Sequence, residues 1–419
     1  FLMILIQPII YENPGKVKSL FSLVLIKRTR YGTMSRGGGA MARLGDICTI
    51  VSGSTPKSSV PEYWDGNIKW ITPAELDESS YIITDSVRHI TELGVAKTGL
   101  KPFPAGTVIL SSRAPIGKTA IAGCEMYCNQ GFKNLICSEK VDTKYLYFFL
   151  TAKAEYLNFL GRGATFKELS KSIVENIEIP LPSIQEQYHI AAILDKLRNL
   201  ISLRKQQLAK LDELVKARFA EMFGDLIANS MGWTFQKLSN LCDVRDGTHD
   251  SPEYQSEGYP LLTSKNFSSG VIDFSDCNLI TEEDFDKINK RSKVDYGDII
   301  MPMIGTIGHP VIVDTDIPFA IKNVALIKFN NERISNIFLK TVLDSDYFLG
   351  ATISSKRGGT QKFIALGDIR SIPIPIVPSE WQIEFANFAG KVARQKVTIQ
   401  QSLEALEILK KSLIQEYFM

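Results

Sequence analysis

The chain has 419 residues, which is more than one hydrophobic core usually supports, so we expect two domains. Hydrophobic residues make up 44% and charged residues 22%, an ordinary composition that argues against a disordered or fibrous chain. The net charge of +2 is compatible with nucleic-acid binding but does not demand it.

The first forty residues differ from the rest of the chain. Their apolar runs are shorter than a membrane span, and prolines and polar residues interrupt them. The segment also lacks the basic start and the small-residue cleavage site of a signal peptide. We therefore expect residues 1–40 to be an extraneous or poorly ordered extension that precedes a start at Met34 or Met41.

From Leu44 onward the sequence contains an internal repeat, in which the second half matches the first. RLGDICTIVSGST at Arg43–Thr55 matches KLSNLCDVRDGTH at Lys237–His249. GTVILSSRAPIGKTAIAG, which begins at Gly106, matches GDIIMPMIGTIGHPVIVD, which begins at Gly297. The offset of about 190 to 195 residues drifts as loop insertions and deletions would make it drift, so the pattern indicates a duplicated domain.

Each half has the same predicted order of elements. Short runs rich in Val, Ile and Thr, such as TVILSS and DIIMPM, predict strands. A helical stretch follows in each half, and after it come an Arg-Gly turn at Arg162 or Arg357 and a strand punctuated by prolines. Each half then ends in one long helix, whose start is marked by the capping-box patterns SIQE at Ser183 and SEWQ at Ser379.

The two long helices carry matching apolar stripes with alternating spacings of three and four residues, the pattern of a coiled-coil seam. The apolar positions of the predicted seam are Ile190, Leu194, Leu197, Ile201, Leu208, Leu211, Val215, Val392, Ile399, Leu403, Leu406 and Leu413. Where one stripe carries a cation, the equivalent position of the other is apolar; the cations are Arg204, Arg218, Lys396 and Lys410. We expect the helices to pair antiparallel about a pseudo-twofold axis between the halves, rather than each packing only on its own domain. The predicted fold class is α+β.

No catalytic motif withstands inspection. SRAPIGKT at Ser112–Thr119 has a serine at the first glycine position of a phosphate-binding loop, and a strand follows where a helix is needed, so we predict a β-hairpin. The six cysteines form no Cys-x-x-Cys and the four histidines are scattered, so metal-ligand spacing is absent. Cys48 and Cys242 lie in matching contexts, LGDIC and LSNLC, where we expect small buried apolar residues, and this favours a reducing, cytoplasmic location.

The turns that recur in both halves are rich in Gly, Ser, Thr, Lys, Arg and Asn, which suit phosphate and base contacts. Two readers in one chain would be expected to read two half-sites about one helical turn, or a multiple, apart.

Several motifs resemble a known family. SGSTPKSSVPEYWDGNIKWITPAEL, SSRAPIGKTAIAG, NQGF at Asn129–Phe132 and IPLPSIQEQYHIAAILD are similar to the type I restriction–modification specificity subunit, and the likeness runs from Met41 to the C-terminus. The second half departs from the pattern, because it lacks the Tyr63-Trp64 and Asn129-Gln130 motifs.

The resemblance implies a chain without enzymatic activity that consists of target-recognition domains and helical spacers. The implied segments are domain 1 at 41–181, spacer 1 at 182–224, a linker at 225–232, domain 2 at 233–377 and spacer 2 at 378–419. The implied partners are double-stranded DNA, two methyltransferase subunits and two motor-nuclease subunits, with no membrane. S-adenosylmethionine, ATP and Mg²⁺ would belong to those partners, and no cofactor to this chain.

By motif match, the predicted DNA-binding residues of the first domain are Ser54, Thr55, Lys57, Arg113, Lys118, Arg162 and Thr165. Those of the second domain are Thr248, His249, Lys265, Asn266, Lys356, Arg357, Thr360 and Gln361. For Arg162 and Arg357, a turn that caps the preceding helix is an equally good interpretation. Two other functions stay open: a coiled-coil scaffold without a DNA role, and the detached specificity part of a single-chain restriction–methylation enzyme.

Overall fold

The structure is a computed structural model that describes residues 40–77, 79–163, 167–267, 270–304, 308–329, 334–353 and 364–419. The chain packs as two compact units. The first unit ends at Gln206 and also takes in Ile399–Met419, and the second unit is Gln207–Thr398. This division differs from the predicted segments, because each unit includes about half of each long helix.

The strands of the first unit are β1 (Ala40–Arg43), β2 (Cys48–Val51), β3 (Trp64–Ile71), β4 (Ile82–Ile83), β5 (Arg88–Ile90), β6 (Val108–Leu110), β7 (Thr119–Ala122), β8 (Tyr127–Cys128), β9 (Asn134–Cys137) and β10 (Glu178–Leu181). They form a five-stranded, a three-stranded and a two-stranded sheet with the orders β2-β9-β6-β7-β4, β5-β3-β8 and β1-β10. The helices are α1 (Leu44–Ile47), α2 (Glu92–Thr98), α3 (Thr143–Ala152), α4 (Ala154–Leu160), α5 (Lys171–Glu175) and the start of α6 (Ile184–Phe223), with 3₁₀ turns at Pro61–Tyr63 and Pro73–Glu75.

The strands of the second unit are β11 (Phe235–Lys237), β12 (Asp243–Asp246), β13 (Tyr259–Leu262), β14 (Asn278–Ile280), β15 (Ile299–Pro302), β16 (Val311–Ile312), β17 (Ala320–Ile321), β18 (Val324–Lys328) and β19 (Pro373–Pro375). Their sheet orders are β12-β18-β15-β16, β14-β13-β17 and β11-β19, which repeat those of the first unit except that, in the described residues, no strand corresponds to β4. Its helices are α7 (Leu238–Leu241), α8 (Glu282–Ser292), α9 (Asn336–Leu343), α10 (Asp346–Ile353), α11 (Leu366–Ser371) and the start of α12 (Ser379–Phe418), with a 3₁₀ turn at Ser264–Phe267.

One apolar strand in each unit separates two hydrophobic cores. In β6, Val108 and Leu110 belong to one core and Ile109 to the other. In β15, Ile299 contributes to one core and Ile300 to another. Successive side chains of a strand point to opposite faces, so an uninterrupted apolar run is what a strand covered on both faces requires. The strands predicted at TVILSS and DIIMPM are confirmed.

A buried glutamine fixes the start of each long helix against its own domain. The side-chain amide of Gln187 is fully buried; its oxygen accepts from the Asp142 backbone N–H at 2.9 Å, and its nitrogen donates to the carbonyls of Lys140 and Pro182. Asp142 is the N-cap of α3, so the glutamine links two helices.

The equivalent glutamine of the second unit does the same. The oxygen of Gln382 accepts from the Ser335 backbone N–H at 2.8 Å, and its nitrogen donates to the Val377 carbonyl at 2.9 Å. Ser335 is the N-cap of α9.

The two long helices pair antiparallel within both units. In the second unit Asp212 binds Lys396 and, further along α6, Arg218 binds Glu384, so the partner number falls as the α6 number rises. In the first unit Lys205 contacts Glu407 at 3.1 Å. Every predicted seam position, the four cations included, is buried or half-buried. The predicted α+β class with antiparallel long helices is confirmed.

One predicted helix start is wrong. Ser183 caps α6, because its hydroxyl accepts from the Glu186 backbone N–H at 3.3 Å. Ser379, by contrast, is already the first residue of α12, and the carbonyl of Pro378 accepts from the N–H groups of Trp381 and Gln382.

We expect Leu406→Ala to lower the free energy of unfolding by about 2–5 kcal/mol, because Leu406 is 5% exposed in the core where α12 meets α6. Ile408, two residues along the same helix, is 55% exposed, so Ile408→Ala should change stability by no more than about 0.5 kcal/mol. Urea denaturation measures both, and equal effects of the two substitutions would contradict the pairing of the helices.

We expect Gln187→Leu to cost about 1–3 kcal/mol, because it leaves the Asp142 N–H and two carbonyls buried without their partner. Gln206→Leu, at an exposed position of the same helix, is the matched control and should be close to neutral. A stability of Gln187→Leu equal to that of the parent chain would show that the buried amide does not hold the helix.

Candidate nucleic-acid interface

In the first unit the loop after β2 lies against the end of β8. Gly53 makes this approach possible, since a side chain there would overlap the Cys128 carbonyl. The Ser54 backbone N–H donates to the same carbonyl at 3.0 Å. The contact places the Thr55 hydroxyl on the side-chain oxygen of Gln130, the second residue after β8. Thr55 and Gln130 are both exposed.

The second unit has the same arrangement of a glycine followed by a backbone hydrogen bond to the end of a strand, which we call the loop frame, but with other side chains. A side chain at Gly247 would overlap the Ile321 carbonyl, which accepts from the Thr248 backbone N–H at 3.0 Å. Here His249 stands in place of the threonine, and its Nδ1 lies 2.8 Å from the Asn323 side-chain oxygen. The frame is therefore common to both units, whereas the side chains it presents are not.

His249 is held between two acceptors. Its Nε2 lies 2.9 Å from the carboxylate of Asp246, which also binds Arg291. The hydrogen bond to Asn323 raises the pKa of His249 most, and the bond to Asp246 raises it further. A protonated imidazole donates from both ring nitrogens, so the site favours the cation.

A cationic cluster surrounds Glu168 in the first unit. Arg113 and the buried Lys133 bind the two carboxylate oxygens at 3.0 and 3.3 Å, and the backbone of Arg162 pairs with that of Glu168. Burial raises the pKa of Glu168, but the hydrogen bonds and the positive charges of the two cations together lower it by more. Arg113 and Arg162 remain exposed, as phosphate contacts require.

Two of the other predicted residues of the first unit differ in exposure. Lys57 is exposed. Lys118 is half-buried, and its ammonium group donates to the Leu76 carbonyl. The turn that contains Lys118 joins β6 to β7, which pair antiparallel, so the predicted β-hairpin is confirmed.

In the second unit Asn266 has a structural role. It is 4% exposed, and its oxygen accepts from the backbone N–H and the hydroxyl of Thr263. Its nitrogen donates to the Asp276 carbonyl at 2.8 Å, so the amide is used within its own turn. Lys265 binds the Asp276 carboxylate at 3.3 Å and stays half exposed.

The remaining predicted DNA contacts lie outside the described residues: Thr165, Lys356, Arg357, Thr360 and Gln361. Sequence reasoning missed Gln130, Lys133 and Asn323. Gln130 belongs to the NQGF motif quoted above, but only the folded chain brings it to Thr55. Asn323 has no motif that could have indicated it.

Among the described residues, no helix is both long and apolar enough to cross a membrane, and no group of three or more His, Cys, Asp or Glu side chains could hold a metal ion.

The chain is thus a duplicated α+β protein that presents different polar side chains on a loop arrangement common to both units. The profile of the type I restriction modification DNA specificity domain matches residues 40–213 and 231–407. The chain therefore belongs to the family of type I restriction–modification specificity subunits. Membership of a specificity family supports the prediction that the chain is not itself an enzyme.

Relatives and solved structures agree. The type I restriction enzyme MjaIX specificity subunit of Methanocaldococcus jannaschii is 30% identical over 399 residues, which cover 89% of this chain and 90% of that protein. The EcoR124I/EcoR124II specificity subunit of Escherichia coli is 27% identical over 191 residues, 44% of this chain and 46% of that one. The crystal structure of the type I S subunit from M. genitalium shares the fold, with a TM-score of 0.58 at 15% identity over 91% of this chain and 96% of that one.

We expect an NMR titration to give His249 a pKa above the usual value of about 6.5. Asp246→Asn should lower that pKa, whereas Asp276→Asn, the same charge change at a carboxylate bound to Lys265, should not. The folded chain binds this proton more tightly than the unfolded chain, so the stabilisation is fully present below about pH 6.5 and is lost as the pH rises through the folded value. A parent pKa at or below 6.5 would contradict the geometry.

Proposed function

We propose that this chain directs a type I restriction–modification complex to a bipartite, asymmetric DNA target, with one recognition domain for each half-site. The repeated loop frame carries the proposal: Gly53 and Gly247 hold equivalent loops, but the side chains presented are a Thr–Gln pair in one unit and a His–Asn pair in the other. Equivalent readers with unlike side chains would select unlike half-sites.

Exposed cations would hold the phosphate backbone beside these pairs. Arg113 and Arg162 stand beside Glu168, and Lys57 follows Thr55 in the loop after β2. Phosphate contacts of this kind supply affinity and orientation but no direct sequence information. Substitution of these cations would accordingly weaken binding to all sequences alike and reduce its dependence on salt.

Two methyltransferase subunits would dock on the long helices. Their outer faces expose large apolar side chains in both units, and such surface is typical of protein interfaces. The exposed residues include Leu203, Leu214, Val397 and Ile408. One solved structure with 17% identity and a TM-score of 0.52 comes from work on complex assembly of the type I R-M system. That work describes the assembly of the other protein and not of this chain.

In the full complex, two motor-nuclease subunits would join the methyltransferases. S-adenosylmethionine, ATP and Mg²⁺ would then be bound by these partners in the cytoplasm. This chain would determine which DNA sequence the complex recognises.

The experiment is to reconstitute the chain with its methyltransferase partner and to map the modified positions in a random-sequence DNA library. We expect a split motif, with two unlike specified elements separated by a gap of fixed length. The chain without the methyltransferase, and the methyltransferase without the chain, are the controls. A continuous motif, a palindrome, or unselective modification would contradict the proposal.

A further inference from the structure

We propose that the side-chain amides of Gln130 and Asn323 each read one base pair, presenting N–H donors to the acceptor edge of guanine or thymine in the major groove. The inference rests on the proposed function, since it assigns one specificity-determining residue to each half-site.

The two residues occupy equivalent places. Gln130 is the second residue after Cys128, and Asn323 is the second after Ile321; each of these preceding residues accepts a backbone hydrogen bond from the facing loop. Gln130 is exposed and Asn323 half-buried. Both are thus presented by a frame held by backbone contacts, which substitution of the amides would leave in place.

In both units the amide oxygen is engaged by the protein. The Thr55 hydroxyl donates to the Gln130 oxygen, and the His249 ring donates from Nδ1 to the Asn323 oxygen at 2.8 Å. The hydroxyl and the imidazole ring are different donors, but both bind the oxygen of an amide. Each turns the oxygen of the amide toward its own loop and fixes the orientation of the NH₂ group.

The NH₂ groups remain available for DNA. Across the described part of the chain, neither amide nitrogen makes a hydrogen bond to the protein. A side-chain NH₂ group held in one orientation, with its donors unused, is arranged to meet an acceptor from outside the chain.

The engaged oxygen restricts which base can be read. The paired contact of Gln or Asn with adenine needs the amide oxygen to accept from N6 while the nitrogen donates to N7. The amide oxygen keeps a second lone pair, but it is turned toward its own loop, so the amide presents mainly its NH₂ donors. Such an amide suits guanine, whose major-groove edge carries the N7 and O6 acceptors, or thymine, which carries O4. We therefore expect one such base in each half-site to depend on these residues.

The test uses the reconstituted complex and the same methylation mapping. Gln130→Glu keeps the shape of the side chain and the acceptor for Thr55, but replaces the NH₂ donors with an acceptor. We expect about a tenfold loss of preference at one base pair of one half-site, with the other half-site unchanged. Asn323→Asp should give the mirror result in the other half-site.

Gln206→Glu is the matched control, because it makes the same charge change at an exposed position of α6 and should leave the motif unaltered. Circular dichroism and assembly with the methyltransferase establish that each variant is folded.

The outcomes separate this inference from the proposed function. If the parent complex selects no split motif, the proposed function fails and this inference fails with it. If the parent motif is split but Gln130→Glu and Asn323→Asp retain it, or weaken modification of all sequences equally, this inference alone is overturned.

Discussion

The structure depends on the burial of each end of the two long helices in a compact unit. The first unit is completed by the last residues of the chain, where the Phe418 ring packs against Tyr145 at 5.2 Å and Phe149 at 5.8 Å. In the second unit Phe219, near the end of α6, packs against Phe338 and Phe385. Neither recognition domain therefore owns a complete core, and removal of either helix would expose apolar surface in both units.

The buried glutamines explain why the helices leave their domains in defined directions. Apolar packing alone is not directional, so a helix held only by leucines could rotate or shift by a turn at modest cost. Gln187 and Gln382 instead make directed hydrogen bonds to the N-cap of an earlier helix, α3 or α9, and to the residues just before their own helix. An amide buried in this way costs free energy in any other register, because its partners would be left unsatisfied.

Helices and strands could be predicted from the sequence where the spacing of apolar residues shows which positions are buried. The seam followed from heptad spacing, and the central strands followed from apolar runs such as TVILSS. The contacts at the ends of the seam were not predictable, because spacing alone does not show that Phe418 packs on α3. The glutamine links also escaped prediction, since Gln is usually a surface residue and its partners lie about 45 residues away in sequence.

The candidate site was only partly predictable for a related reason. Loop composition identified Thr55 and His249, but each partner amide comes from a turn about 75 residues further on, and only the folded chain brings them together. Composition also cannot separate an asparagine that faces DNA from one that holds a turn. Asn266 looked like a base-reading residue, and its buried amide instead closes a 3₁₀ turn onto Thr263.

A frame made of backbone contacts lets sequence choice change without a change of fold. The Ser54 and Thr248 N–H groups bind carbonyls, and the glycine before each leaves room for the approach, so the geometry requires no particular residue at Thr55 or His249. Substitution at the presented positions costs little stability because those side chains are mostly exposed. The two units share the glycine and the backbone hydrogen bond that follows it yet differ in the groups they offer, which is what the proposed asymmetric target demands.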